Sequence, residues 1–327
     1  MTRVLAGDIG GTNARLAFFQ VDGSGFQLLG ARTYPSGQYA SLAEIVQSFV
    51  DQHDIAAECG CFGVPGPVKN GRAAITNLPW VVEAAALQRA GRLSRAAVIN
   101  DLEAQAYGIQ VLGPDDFVVL NPGSPDAEGN AAIIAAGTGL GQAGLYWDGR
   151  SDHPFACEGG HTSFAPTGEL QTELLEFLSK RFGGHVSWER VVSGPGLINL
   201  HDFLLDYRGG QASPDAHVPK EKDDPAEITE SALAARCPLC VEAVDLFVRF
   251  YGAEAGNLGL KLMATGGVYL GGGIAPRIIE KLKAPLFREA FVSKGRMRSM
   301  LEAIPVRVIM NGQTALLGAA RYAAHLM

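Results

Sequence analysis

Two glycine-rich segments carry the residue types that bind phosphate in proteins. The first, GDIGGTN, spans residues 7–13, and the second, GTGLG, spans residues 137–141. Glycine allows backbone N–H groups to point together at an anion, and a threonine hydroxyl adds a further donor. Neither segment fits the Walker A or the dinucleotide-binding pattern of glycines. We therefore predict two tight Gly-Thr turns that bind a polyphosphate from two sides.

Asp8 is unexpected inside the first segment, because a carboxylate repels phosphate. When residues 10–23 are set over residues 136–149 without gaps, five of fourteen positions are identical, which indicates an internal duplication. In the same alignment Asp8 corresponds to Ile134, so the hairpin itself does not need an acid. A Mg²⁺ ion held through water would reconcile Asp8 with phosphate. The alternative to a Mg²⁺ ligand is that Asp8 only caps the turn. The alternative to duplication is that two unrelated hairpins share similar turn residues.

Asn100 and Asp101 follow a short apolar run and could act on an acceptor hydroxyl. The run 96–99 is predicted to be a strand, and α/β proteins place ligand-binding residues just beyond strand ends. A free aspartate has a pKa of about 4, so a carboxylate here can accept a proton at neutral pH while a phosphoryl group is transferred. Asn100 can both donate and accept hydrogen bonds. The competing interpretation is that both residues only cap the following helix.

The segment EGGH places a carboxylate and an imidazole on either side of two glycines. A bending backbone would let Glu158 and His161 reach one small polyol, whose hydroxyls both side chains can bind. The alternative is a surface turn with an incidental histidine. A metal site is disfavoured for this pair because no third ligand is nearby in the sequence.

Cys237 and Cys240 have the spacing of a redox or zinc motif. No second CxxC and no nearby pair of histidines completes a zinc site. We therefore predict two buried thiols near the start of a helix.

The elements that must position these groups follow from apolar runs and turn residues. Short strands alternate with longer helical stripes, which predicts the α/β class. Predicted strands cover residues 4–8, 14–21, 27–33, 61–64, 96–99, 131–136 and 268–270. Predicted helices cover residues 41–49, 168–182, 194–207, 240–263 and 313–326, and a mobile surface loop is predicted at 208–225.

Composition limits the classes to which the chain can belong. Its 327 residues favour two domains, and 47% hydrophobic residues can fill sizeable cores. A net charge of −7 without a basic run argues against nucleic acid and membrane as partners. No apolar stretch is long enough to span a bilayer, and the N-terminal residues do not resemble a signal peptide. Five cysteines, an odd and sparse set, suit a reducing cytoplasm.

Six segments taken together are similar to those of one known family. They are VLAGDIGGTNARLAFF, VINDLEAQAYG, AAGTGLGQA, CEGGHTSFAP, ERVVSGPGL and VYLGGGIAP. In this order they resemble the bacterial glucokinases of the proteobacterial type, within the hexokinase–actin–Hsp70 ATPase superfamily. EGGH followed by ERVVSGPG is the most specific part of the resemblance.

The resemblance implies an α/β fold of two RNase-H-like, actin-like ATPase domains with a ligand cleft between them. The small domain would cover residues 1–110 and be completed by a C-terminal helix at about 303–327. It would carry the first phosphate loop and the catalytic aspartate. The large domain would cover residues 111–302, with the second phosphate loop and the sugar and adenosine contacts.

The resemblance also assigns site residues. The general base would be Asp101. The phosphate loops would be Gly7, Asp8, Ile9, Gly10, Gly11, Thr12 and Asn13, and Gly137, Thr138 and Gly139. The adenosine would meet Gly271, Gly272 and Gly273. The sugar would be held by Asn77, Asn100, Asp101, Glu158, His161 and Glu189.

The implied activity is ATP-dependent phosphorylation of D-glucose at its 6-hydroxyl, the first step of glycolysis, in a cytoplasmic homodimer with Mg²⁺. Related kinases of the repressor–ORF–kinase group carry a cysteine-rich zinc motif after the EGGH-type histidine. HTSFAPTGE contains no cysteine there, so a structural zinc is not expected. One alternative is a kinase for another hexose or amino-hexose. Another is a non-enzymatic actin-like nucleotide-binding protein.

Overall fold

The computed structural model describes residues 2–22, 25–75, 78–209 and 224–327. Its strands in chain order are β1 (Thr2–Ile9), β2 (Asn13–Asp22), β3 (Gly25–Pro35), β4 (Cys59–Val64), β5 (Arg72–Ala74), β6 (Val81–Glu83), β7 (Arg95–Asn100), β8 (Phe117–Asn121), β9 (Ala131–Ala136), β10 (Leu140–Trp147), β11 (Asp152–Cys157), β12 (Gly267–Gly271) and β13 (Val306–Ile309). Its helices are α1 (Leu42–Asp51), α2 (Ala84–Ala90), α3 (Asp101–Ile109), α4 (Glu169–Phe182), α5 (Gly194–Tyr207), α6 (Pro225–Leu233), α7 (Pro238–Lys261), α8 (Ile274–Arg277), α9 (Ile279–Lys283), α10 (Pro285–Val292), α11 (Arg298–Ala303) and α12 (Thr314–His325).

Contacts within the chain define two compact units. The first contains Met1–Asp116, Ala143–Ala156 and Asn311–Met327, and the second contains Phe117–Gln142 and Cys157–Met310. Most of the loop predicted at 208–225 lies outside the described residues. In the described chain, none of the helices combines the length and apolarity that crossing a bilayer demands.

The first sheet has the strand order β3-β2-β1-β4-β7. β1 and β2 form an antiparallel hairpin, whereas β1, β4 and β7 run parallel. Alternate residues of β1 enter different cores, as the two-residue period of a strand requires. Leu5 packs in one core with Phe18 and Phe49, while Val4 packs in another with Ala319. The central strand of this sheet is therefore covered on both faces.

Helices α3 and α12 pack almost backbone to backbone in the first unit. A Cβ added at Gly318 would lie 1.7 Å from the Ala104 carbonyl oxygen, and one at Gly108 would lie 2.0 Å from the Thr314 carbonyl oxygen. Both positions therefore require glycine. This close packing holds α3, which begins at Asp101, against the rest of the unit.

The second sheet has the order β11-β10-β9-β12-β13-β8. β12 runs parallel to β9 and to β13, and β8 is antiparallel to β13. Helix α7 packs on β9, and the Tyr251 hydroxyl donates to the Ile134 carbonyl at 3.1 Å. In each sheet, two strands at one edge are followed across the sheet by three parallel strands. The matching orders are β3-β2-β1-β4-β7 in the first sheet and β11-β10-β9-β12-β13 in the second. The similarity of the two Gly-Thr segments therefore extends to the topology of the sheets.

Candidate functional site

The carboxyl edge of the first sheet brings together residues far apart in sequence. Across three parallel strands, Asp8 stands beside Gly63, and Gly63 stands beside Ile99. Neighbouring strands are about 4.8 Å apart, so the backbones of Asp8 and Ile99 are about 10 Å apart. Asp101 follows two residues after Ile99. Asp8 and Asp101 therefore lie at the same edge of one sheet, where open α/β sheets bind ligands.

The first Gly-Thr turn joins β1 to β2. Its Gly10 N–H donates to the Asn13 carbonyl at 2.8 Å, so this amide closes the turn. Ser36 braces the turn from outside, because its hydroxyl donates to the Gly10 carbonyl at 2.9 Å and its N–H donates to the Thr12 carbonyl at 2.9 Å. The Ile9 side chain is buried in the core. Thr12 and Asn13 are exposed, so a ligand can reach them.

Asp8 lies beside one cationic side chain, that of Arg15. Its carboxylate is 4.0 Å from the Arg15 guanidinium, and 27% of the Asp8 side chain is exposed. Burial raises the pKa of Asp8 above its usual value, and the charge of Arg15 opposes that shift. A metal cation beside this carboxylate would favour its ionised form in the same way.

Asn100 ends β7 and caps helix α3. Its side-chain oxygen accepts from the Leu102 N–H at 2.9 Å, and its side-chain amide donates to the Gly66 carbonyl at 3.1 Å. Asn100 is buried and does form the helix cap that the competing interpretation described. The cap fixes Asp101 as the first residue of α3, where the partial positive charge of a helix N-terminus favours a carboxylate.

The second Gly-Thr turn, between β9 and β10, is braced by the segment before α5. The Gly137 N–H donates to the Gly139 carbonyl at 2.9 Å, and the Gly194 N–H donates to the Gly137 carbonyl at 2.8 Å. The Glu189 carboxylate accepts from the Leu140 N–H at 3.0 Å. A Cβ at Gly139 would lie 2.5 Å from that carboxylate, so a larger residue there would push the Glu189 side chain away from the turn. ERVVSGPG and GTGLG thus form one local structure.

The glycines of EGGH press against the start of β10. A Cβ at Gly159 would lie 1.9 Å from the Gln142 side-chain oxygen, and one at Gly160 would lie 1.9 Å from the Leu140 carbonyl oxygen. This close approach explains why the two positions between the acid and the histidine are both glycine.

Glu158 and His161 stand at the two ends of that glycine pair. The Glu158 carboxylate and the His161 ring nitrogen Nε2 are 3.9 Å apart. Both side chains are exposed, and their polar atoms lie close enough together to bind one small molecule. The bending backbone predicted for this segment is present as a single 3₁₀ turn over Gly159–His161.

A third glycine segment reaches the second Gly-Thr turn. Gly272 has a φ of +80°, and a Cβ there would lie 2.3 Å from the Ala136 carbonyl oxygen. By contrast, a Cβ added at Gly137 or Gly273 would meet no heavy atom of the described residues within 4 Å. These two glycines therefore border open space that a ligand could enter.

The second unit gathers its predicted ligand-binding residues around one turn. The Trp188 N–H donates to the Thr162 carbonyl at 3.0 Å, which links the Glu189 segment to the EGGH turn. Contacts with residues 136–142 thus hold both segments, and the glycines 271–273, near the end of β9 and the start of β10.

The first unit gathers Asp8, Asn100 and Asp101 at the edge of its own sheet. The strand register places Asp8 there, and the end of β7 places the other two. Asn77, the remaining predicted sugar ligand, lies outside the described residues.

A buried polar network lies behind the second turn, and none of its residues was predicted as a site residue. The Gln142 side chain donates to the Glu254 carboxylate at 2.9 Å, and Glu254 is fully buried. Asn257 donates to the same carboxylate at 2.8 Å, and the Lys261 ammonium is 3.5 Å away. The sequence feature that could have indicated this network is Glu254, a charged residue within the buried stripe of α7. The network holds Gln142 in the position against which Gly159 packs.

Comparison with known proteins identifies the family of the chain. Residues 5–326 match the family model described as Glucokinase. The glucokinase of Nostoc punctiforme is 40% identical over 341 residues, covering all of both chains. That of Yersinia pestis (strain Pestoides F) is 41% identical over 321 residues, covering 98% of this chain and 96% of the relative. The chain belongs to the glucokinase family.

Membership of the family confirms the resemblance and the enzyme class predicted from the sequence. The crystal structure of a glucokinase from an Antarctic psychrotroph has 33% identity, a TM-score of 0.84 and 99% coverage of both chains. The predicted α/β class with two actin-like ATPase domains is therefore confirmed. The roles of the individual site residues stay predictions.

Proposed function

We propose that this protein transfers the γ-phosphoryl group of ATP to the 6-hydroxyl of D-glucose. The observation that carries the proposal is the match of residues 5–326 to the glucokinase family. Supporting it, the segments predicted to bind phosphate and sugar lie at or beside the ends of β1, β7 and β9. Phosphoryl transfer is catalysed mainly by positioning and by electrostatic stabilisation, for which braced turns are well suited.

Asp101 is the proposed general base. It would accept the proton of the 6-hydroxyl as the phosphoryl group arrives, a role worth about 10²–10⁴ in rate. The Asn100 cap supports this role because it fixes the start of α3. Gly63 supports it because a Cβ there would lie 2.8 Å from Ala104 Cβ and 3.7 Å from Asp101 Cα. A larger residue at position 63 would therefore push against Ala104 in helix α3, which begins at Asp101.

The two Gly-Thr turns are the proposed binding sites for the phosphates of the nucleotide. Thr12 and Thr138 are both exposed and offer hydroxyl donors. Open space at Gly137 supports close approach of a phosphate, and open space at Gly273 supports contact of the last glycine segment with adenosine. Gly7 has a packing role, because a Cβ there would lie 2.6 Å from the Phe62 ring.

Asp8 is the residue proposed to hold Mg²⁺, through water. A partly exposed carboxylate is the hard oxygen ligand that Mg²⁺ prefers, and the burial that raises its pKa makes a neighbouring cation favourable, so the residue fits the ion. When bound, Mg²⁺ neutralises charge that develops on the transferred phosphoryl group. The sugar would be held by hydrogen bonds from its hydroxyls to Asn77, Asn100, Glu158, His161 and Glu189.

We also propose a cytoplasmic homodimer. Five free cysteines support a reducing compartment, because disulfides form and persist in oxidising ones. Sedimentation equilibrium would measure the oligomeric state directly. A mass of one chain at all concentrations tested would contradict the dimer.

A coupled assay with ATP and Mg²⁺ tests the activity and its specificity. Glucose, mannose, fructose and N-acetylglucosamine are compared by kcat/KM, and glucose is expected to give the highest value. A higher value for another sugar would support the alternative hexose or amino-hexose kinase. Slow ATP hydrolysis that glucose does not accelerate would support a non-enzymatic actin-like protein.

The Asp101→Asn variant tests the base. We expect kcat to fall by about 10² or more, with glucose affinity within about tenfold of the unchanged protein. Asp115→Asn, at an exposed aspartate of the same unit, is the matched control and should keep full activity. Near-normal turnover of Asp101→Asn would remove this residue from the role.

The Gly137→Ala variant tests the phosphate turn. No described atom lies within 4 Å of the added methyl group, so the folding stability should change little. We expect the KM for ATP to rise about tenfold, because the methyl group would occupy the space proposed for phosphate. Gly37→Ala, equally open, is the control. An unchanged KM would exclude close approach of the nucleotide at residue 137.

A further inference from the structure

Three metal-ligating side chains meet inside the second unit, and none of them is a predicted site residue. They are His201 of α5, Cys237 at the N-cap of α7, and Cys240 in the first turn of α7. One ring nitrogen and the two sulfurs all lie within 4.8 Å of one another. All three residues are buried, with exposures of 3%, 2% and 0%.

The start of α7 explains how the two sulfurs come together. Cys237 caps the helix, and its Sγ accepts from the Cys240 N–H at 3.2 Å. Positions three residues apart lie on the same side of a helix, so both sulfurs face the same way. Pro238 occupies the first turn, where its fixed φ favours this helix start.

The packing of α5 on α7 supplies the third ligand. Leu197, Leu200 and Leu204 place one stripe of α5 in the core shared with α7. His201 is next to Leu200 and is also buried. Because His201 is 36 residues before Cys237 in the chain, their spacing does not suggest a common site. Only the packing of the two helices brings them together.

The chemistry of this set selects a particular class of ion. Two thiols and an imidazole, with no carboxylate among them, suit borderline or soft metals such as Zn²⁺ and not Mg²⁺ or Ca²⁺. With Zn–S bonds of about 2.3 Å and Zn–N bonds of about 2.0 Å, tetrahedral ligand atoms are about 3.5–3.8 Å apart. The three ligand atoms lie within 4.8 Å of one another, so no pair is more than about 1.3 Å beyond that spacing.

Contrary to the expectation from the sequence, we propose that His201, Cys237 and Cys240 bind one Zn²⁺ ion in the second unit, with a water molecule as fourth ligand. Each thiol releases a proton to solvent as its Zn–S bond forms, and the neutral imidazole donates a lone pair. The ion would join the middle of α5 to the start of α7. Because the N-terminus of α5 braces the second Gly-Thr turn through Gly194, the join would also stabilise that turn.

Titration with Co²⁺ tests the site in the full, metal-stripped chain. Co²⁺ in a tetrahedral site with thiolate ligands gives intense visible bands and a sulfur-to-cobalt charge-transfer band, which surface carboxylates do not produce. We expect one such Co²⁺ per chain, displaced by one equivalent of Zn²⁺. Cys237→Ser and His201→Asn should each lower the Zn²⁺ affinity about 100-fold or more, since even indirect partners of a metal site are worth 10- to 100-fold.

Cys157→Ser is the matched control, because it removes a cysteine outside the cluster and should keep the full cobalt spectrum. If a variant fails to fold, the spectrum and stoichiometry of the unmodified chain decide alone. An unmodified chain without the charge-transfer band would overturn the proposal, and so would a band that survives in a folded Cys237→Ser/Cys240→Ser double variant. The proposal would also be overturned if the freshly purified protein contained a Cys237–Cys240 disulfide and no bound metal.

Discussion

The two Gly-Thr turns repeat one backbone plan but are braced by different chemistry. The first is held by the neutral hydroxyl of Ser36, whereas the second is held by the carboxylate of Glu189 and the N–H of Gly194. The strand before each turn differs as well. Asp8 in β1 is partly exposed, and its counterpart Ile134 in β9 is fully buried.

This difference shows what the two halves share and what they do not. Each turn has a carboxylate beside it, but the first comes from the hairpin itself and the second comes from a distant segment at Glu189. The backbone is repeated because the order of strands is repeated in both sheets. The charged groups are not repeated, because the environment of the matching strand position differs. Substitutions at the matching positions test each half of this comparison.

The largest effect is expected when the acid of the first strand is placed in the second. Ile134→Asp would bury a carboxylate at a position with no solvent exposure. A buried charge without compensation costs about 3–5 kcal/mol, so the free energy of unfolding measured with urea should fall by about that amount. Ile134→Val is the control and should cost about 1 kcal/mol. Equal stability of the two variants would mean that β9 tolerates an acid as β1 does.

The Asp8→Asn variant removes the acid that only the first hairpin has. If Asp8 holds Mg²⁺, kcat should fall by about 10² and the Mg²⁺ concentration for half-maximal rate should rise. Asp54→Asn, at an exposed aspartate, should do neither. Unchanged Mg²⁺ dependence would support the turn-capping alternative for Asp8.

The same variant should gain stability at neutral pH. Burial raises the pKa of Asp8 above 3.8, so between that value and the raised one the folded chain holds a proton that the unfolded chain has released. The free energy of unfolding of the wild-type protein therefore decreases as pH rises from 3.8 to the raised pKa of Asp8. The Asp8→Asn variant has no carboxyl group at this position, so this decrease is absent from it. Its melting temperature should be higher than that of the unchanged protein at pH 7, and the gain should shrink as pH falls through the window. A lower melting temperature of Asp8→Asn at pH 7 would contradict the conclusion that burial raises the pKa of Asp8.

A smaller effect is expected from neutralising the charged brace of the second turn. Glu189→Gln keeps an oxygen that can accept from the Leu140 N–H but loses the charge that strengthens this hydrogen bond. Because Glu189 is also a predicted sugar ligand, we expect the KM for glucose to rise about tenfold with little change in kcat. Glu176→Gln, on the exposed face of α4, should leave both constants unchanged. A change in stability alone would limit Glu189 to bracing the turn.

The smallest effect is expected at the neutral brace of the first turn. Ser36→Ala removes one neutral hydrogen bond to Gly10 and should lower the free energy of unfolding by about 1 kcal/mol. Ser299→Ala, at an exposed position of α11, should change it by less than about 0.5 kcal/mol. If Ser36→Ala cost as much as Ile134→Asp, the two turns would not differ in how strongly they depend on charge.

Local patterns predicted several elements around the site closely. The helix predicted at 194–207 has those bounds as α5, and SGPG begins it with Ser193 as the N-cap. The helix predicted at 240–263 begins earlier, at Pro238, because Cys237 caps it. Asn100 also caps α3, which is the part of the competing interpretation that the structure shows. These features depend on neighbours within a few residues, which can be read along the chain.

Residue identities and short-range backbone preferences were enough to specify the two turns, the types of the main elements and the family. They did not specify that Glu189 holds the second turn, that Glu254 lies buried behind Gln142, or that His201 meets Cys237 and Cys240. Each of those contacts joins residues separated by tens of positions. The distances between such residues depend on how helices and sheets pack over the whole unit, so these contacts emerge only when the chain is folded.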